Sequence, residues 1–251
     1  MKPFYKTLTL VLITAAAAAI LLLLDPIPQD PAYHRFTDTR AYFGIPNFWN
    51  VASNLPFLVA GALGLLQSRR LASPDLATHY RAFCAAVALV ALGSAWYHLA
   101  PDNARLVLDR MPMTVAFMTL LAAAIADRVN WVAGRALLWP LIVAGLASIA
   151  WWIRTEAAGH GDLRPYALVQ FLPMLLLPPI LIMWKGEGLS ARYLWMASGA
   201  YAAAKLAEYG DFLAVIVAER AKLDFEDQHV QSETRRATSL AALYKALAGD
   251  L

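Results

Sequence analysis

At 251 residues, 60% hydrophobic and only 16% charged, the chain carries far less charge than the roughly 25% typical of a soluble domain. Its net charge of +3 comes without any basic stretch interleaved with aromatics, so no nucleic-acid partner is expected. The single cysteine, Cys84, excludes an intrachain disulfide and a cysteine-built zinc site.

The missing charge is withdrawn in blocks. Residues 7–24, 41–68, 82–101, 111–126, 136–153 and 165–184 contain no Asp, Glu, Lys or Arg. A helix of about 20 apolar residues crosses about 30 Å of hydrocarbon, and lipid forces every backbone N–H to find its partner internally. The blocks lack the alternation of barrel strands. The expected fold class is therefore all-α, a polytopic transmembrane helix bundle forming one integral membrane domain over residues 1–251.

In chain order, the first helix is expected at 7–24. A cleaved signal peptide competes there, with Ala15–Ala19 resembling a cleavage region, but Ile20–Leu24 prolongs the apolar run and favours a retained helix. Further spans are expected at 46–67, 80–99, 110–128, 136–153, 166–184 and 193–217. The last is interrupted by Lys205, Glu208 and Asp211. Residues 219–236 are half charged, and 237–251 read as a degenerate last helix. Lys2, Lys6, Arg69, Arg70, Arg81, Arg128, Arg135, Lys185 and Arg192 crowd one face, whereas the arginines of the other face, Arg110 among them, are balanced by acids. The expected orientation is N-terminus cytoplasmic, as in a bacterial inner membrane.

Polar residues within spans are costly and are functional candidates. Ser94 and His98 lie four apart on one helix face, and Asp109 follows beyond a Pro101-Asp102-Asn103 turn. A tight hairpin brings the three together as imidazole, carboxylate and hydroxyl, a set suited to zinc-bound water. The same residues also suit an interfacial histidine beside Trp96 and Tyr97, with Asp109 pairing with Arg110 or capping a helix. Asn47, Asn50 and Asn54 share a helix face and serve either helix–helix hydrogen bonding or a pocket wall. Lys205, Glu208 and Asp211 are spaced for internal pairing. His34, His79 and His160 are expected to be solvated in loops.

Three segments resemble the alkaline ceramidase family, within the CREST superfamily of seven-helix membrane hydrolases. They are Ile45-Pro46-Asn47-Phe48-Trp49-Asn50-Val51-Ala52-Ser53-Asn54, the Ser94-x-x-x-His98 to Asp109-Arg110-Met111-Pro112-Met113 pair, and, more weakly, Ala204-Lys205-Leu206-Ala207-Glu208 with Asp211. The likeness covers most of residues 40–215. It implies a seven-helix core, with 7–24 as an extra N-terminal helix. It implies a zinc cofactor with His98 as ligand, Asp109 acting on the bound water and Ser94 holding the reacting carbonyl. The implied reaction is hydrolysis of a ceramide-like membrane lipid to a sphingoid base and a fatty acid.

The pattern fails at the family's last helix, which carries His-x-x-x-His. No such motif occurs in these residues; Arg235 and Ser239 fall where the histidines belong, and neither is a zinc ligand. His229 is the nearest stray imidazole. Composition there points to a divergent or frame-altered C-terminus. The alternative expectation is thus a catalytically inactive lipid-binding membrane protein with an incomplete metal site. No calcium is expected, because Asn47 stands where the family often has glutamate. A transporter is disfavoured by the lack of an internal repeat.

Overall fold

The structure is a computed structural model that describes residues 3–68 and 76–248, with the side chains of Asp211 and of residues 236–248 outside the description. The loop residues Arg69, Arg70 and Asp75 also fall outside it, as do Lys2 and Asp250, and so do the side chains of Ser239 and Lys245. Among the described residues the regular elements are helices, and the one β-bridge, Tyr42 to Ile45, is isolated. The helices are α1 (Pro3–Leu23), α2 (Phe48–Ala52), α3 (Leu55–Gln67), α4 (Ala77–Leu99), α5 (Asn103–Ala124), α6 (Trp131–Ala157), α7 (Arg164–Met183) and α8 (Ala191–Ala248).

Six helical segments among the described residues are long and apolar enough to cross a membrane: Pro3–Leu23, Phe48–Gln67, Ala77–Leu99, Asn103–Val129, Trp131–Ala157 and Arg164–Met183. This is an all-α, multi-pass membrane bundle. The expected seventh span at 193–217 is not among them, and the expected charged loop and separate last helix do not form. Instead α8 runs unbroken for 58 residues, about 87 Å at the helical rise. The reason is in the sequence: no proline follows Pro179, and no glycine stands between Gly210 and Gly249, so nothing stops the helix. Leu194 is its one buried side chain among those described.

The core lies between α5 and α7. Met118 and Leu121 meet Val169, Leu172, Leu176 and Ile180, and Leu10 of α1 joins the same cluster. Lys6 reaches the Met183 carbonyl, and at the other end of α1 Arg164 donates to the Leu24 carbonyl, so α1 runs alongside α7. Near the opposite face an aromatic cluster of Tyr97, Trp152 and Tyr166 closes around Leu106 and Ile149.

α4 and α5 form a hairpin. Asp102 caps α5, its carboxylate accepting from Arg105 N at 2.7 Å, as a turn residue before a helix should. The two helices touch backbone to backbone at Gly93: a Cβ there would lie 2.1 Å from the Leu108 carbonyl oxygen. That carbonyl is also denied its normal helical partner, because residue 112, four further on, is a proline without an N–H. Asp162, between α6 and α7, is hydrogen-bonded by Arg164, which holds its carboxyl down at about 2.

Candidate functional site

The hairpin delivers Ser94, His98 and Asp109 to one cavity of about 380 Å³ on the face opposite the amino terminus. Asp109 sits inside α5, seven residues past its cap, so it does not cap the helix. Among the described residues it forms no ion pair with Arg110. The Ser94 hydroxyl is within hydrogen-bonding reach of the Asp109 carboxylate. His98, half-buried at the end of α4, stacks against Phe36 with ring centroids 4.8 Å apart, and its Nδ1 is buried without a partner.

The asparagine ladder divides its work. Asn50 and Asn54 line the cavity. Asn47 does not; it stands in the left-handed region (φ 49°) just before α2 and donates from Nδ2 to the His98 carbonyl at 2.8 Å. That carbonyl belongs to the last turn of α4, where no intrahelical donor remains. Asn50 donates to the Asp38 carbonyl at 3.0 Å, tying down the segment that roofs the cavity. The helix face expected from 47 to 54 is therefore broken at its start by the left-handed Asn47, whereas Asn50 and Asn54 keep it.

The third polar group also reaches the cavity. Lys205 and Glu208 line it from α8 and pair with each other at 2.5 Å; the Asp211 side chain lies outside the described residues. Tyr33, on a 3₁₀ turn before α2, donates its hydroxyl to Glu208 at 3.0 Å. Burial first, then the Glu208 carboxylate, pushes the Tyr33 phenol far above its ordinary value, so it stays a donor. Arg35 of the same segment pairs with Glu219, and Gln170 of α7 donates to the Tyr201 hydroxyl at 2.9 Å. These contacts hold α8 against the cavity mouth.

Three residues read as loop residues turn out otherwise. His34 bridges the Tyr97 hydroxyl (3.1 Å) and Asn103 Oδ1 (2.9 Å). Because that amide oxygen only accepts, the ring carries a proton on Nε2. His79 is 1% exposed at the start of α4, its Nε2 3.3 Å from the Gly134 carbonyl and its ring against Trp131. Arg110, read as a charge of the outer loops, is 6% exposed within α5, packed among aromatics and lining the cavity. The sequence did carry a signal for it, an arginine directly after Asp109 at the edge of an apolar run. Tyr33 and Arg35 lie outside every span and carried none.

The donors among the described residues do not fit a zinc ion. No group of three His, Cys, Asp or Glu among the described residues is arranged to hold a metal. His98 supplies one free imidazole nitrogen, but Arg110 faces the same cavity with no ion-pair partner among the described residues, and its charge opposes a dication. His229 lies on the exposed part of α8, 3.7 Å from Glu233, and does not line the cavity. Arg235 is exposed.

Comparison with known proteins gives no match among curated proteins and none among solved structures. A family model does match, that of the Ceramidase family, over residues 41–176. The matched stretch takes in α2 to α6 and the first part of α7, and so the Ser94, His98 and Asp109 cavity walls, but stops short of α8. With more than half of its length in agreement with that model, the chain belongs to the ceramidase family.

Proposed function

We propose that this chain is a ceramidase-family membrane protein that binds an amide-linked lipid in the cavity between α4, α5 and α8 without a completed zinc centre. The observation that carries the reading is the donor set: a family cavity holds Ser94, His98 and Asp109, yet adds one further acid, Glu208, and three cations where further imidazoles belong. Ser94, Asn50 and Asn54 offer hydrogen bonds to an amide, and Phe57, Val90 and Met113 give the cavity an apolar wall for acyl chain.

A second reading is amide hydrolysis of the family kind, with zinc on His98, Asp109 acting on its water and Ser94 at the carbonyl. The unpartnered Nδ1 of His98 favours it. We also propose that α1 stays attached, since Leu10 belongs to the main core cluster, and that the amino terminus is cytoplasmic, placing the cavity at the outer membrane face.

The test is binding of an N-acylated sphingoid base to detergent-purified protein before and after EDTA. The lipid-binding reading predicts unchanged affinity. Loss of binding on chelation, restored by zinc, would favour the hydrolase.

A further inference from the structure

Arg110 is the cavity's unsolved charge. Its guanidinium lies 4.8 Å from the ring centroids of Trp152 and Tyr166 and 5.4 Å from that of Tyr33. Three rings thus crowd the guanidinium. Among the described residues it makes no ion pair and no hydrogen bond, and its Nη1 is buried without an acceptor. The other cations of the cavity are paired, Lys205 with Glu208 and Arg35 with Glu219. Asp109 is its chain neighbour, but successive residues on a helix point about 100° apart, and the Asp109 carboxylate has the Ser94 hydroxyl in reach. A buried arginine within a membrane span is costly unless it is paired. Aromatic faces offset part of that cost, but they leave Nη1 without an oxygen acceptor.

We propose that the cavity holds a carboxylate-headed, single-chain lipid with its headgroup on Arg110. The planar guanidinium fork matches a carboxylate through two parallel N–H donors. Asp109 and Glu208 line the same cavity, and their negative charge penalises a dianion such as a phosphate monoester more than a monoanion. The apolar wall of Phe57, Val90, Met113 and Phe212 calls for an alkyl chain behind the headgroup. At about 380 Å³ the cavity suits one headgroup and the start of one chain, with the remainder of the chain in the bilayer. The proposal rests on reading the cavity as a lipid site; beside the neutral amide lipid it adds a second, anionic ligand class and the residue that selects it.

The experiment uses the full chain in detergent and compares hexadecanoate, hexadecanol, hexadecylamine, hexadecyl phosphate and acetate. Hexadecanoate is expected to bind at least about tenfold more tightly than hexadecanol, the scale of a charge-assisted hydrogen bond, and far more tightly than acetate. Arg110→Gln should erase the preference over the alcohol, and Arg110→Lys should keep part of it. The comparison within the native protein needs no variant, so a misfolded Arg110→Gln leaves the test intact. Equal binding of acid and alcohol overturns the proposal, as does a preference for hexadecylamine or hexadecyl phosphate, or a folded Arg110→Gln that still prefers the acid. If an N-acylated sphingoid base binds but hexadecanoate shows no preference, only this inference fails. If neither binds, the lipid-site reading fails with it.

Discussion

Gly93→Ala is expected to destabilise the protein by about 2–3 kcal/mol, the upper part of the range for overpacking a tight contact. The added Cβ would stand 2.1 Å from the Leu108 carbonyl oxygen and 3.2 Å from Asp109 Cα. Both are backbone atoms, so no rotamer change relieves the overlap, and α4 and α5 must separate. Ser94 and His98 are on one of these helices and Asp109 on the other, so the substitution should also weaken lipid binding. Gly199→Ala is the matched control: it too lies in a helix, but nothing stands within 4 Å of its Cβ position. There the change should be neutral or stabilising, because alanine is the better helix former. Equal apparent Tm values for the two variants would refute the close contact.

Arg128→Ala is expected to cost more, about 3–5 kcal/mol, the penalty for breaking a buried ion pair and stranding its partner. Asp127 and Arg128 are both 3% exposed at the side chain and 3.5 Å apart, in the π-helical turn Ile125–Val129 that continues α5 at its end away from the cavity. Asp127 accepts from Gly188 N at 2.7 Å, and Arg128 donates to the Trp184 and Leu189 carbonyls. Together they clamp the connection that starts α8 and so aim Lys205 and Glu208 at the cavity. The variant should show a lowered apparent Tm in detergent and faster proteolysis between residues 184 and 190. Wild-type resistance at that connection would show that the pair is not its anchor.

The six spans were legible because a bilayer asks for one property, an uncharged run of fixed length, and the sequence writes it six times. Their ends were less legible. The run starting at 110 is the interior of a helix that begins at Asn103 and carries Arg105, Asp109 and Arg110 inside it. A charge marks a span boundary only if it faces lipid or water; one that faces a cavity is carried inside. The same fact hid Arg110. Spacing on one helix brought Ser94 and His98 together, and the Pro101–Asn103 turn brought Asp109, so this part of the cavity was readable from local rules. Tyr33, Gln170 and Glu208 arrive from other elements and needed the tertiary fold. Asn47 escaped the helical spacing rule because its left-handed backbone turns it toward the end of α4. α8 departed furthest from expectation: charge density suggested a loop, but helix formation depends on backbone breakers, and residues 211–248 have none.

The central claim is that this ceramidase-family cavity is a lipid site whose donors do not complete a zinc centre. Zinc content per chain, measured on detergent-purified protein after exposure to excess zinc and dialysis, tests it most directly, with His98→Ala alongside. The account predicts zinc far below one equivalent in both proteins, while the native protein still binds an N-acylated sphingoid base. Close to one equivalent of zinc in the native protein, lost in His98→Ala together with amide hydrolysis, would contradict it.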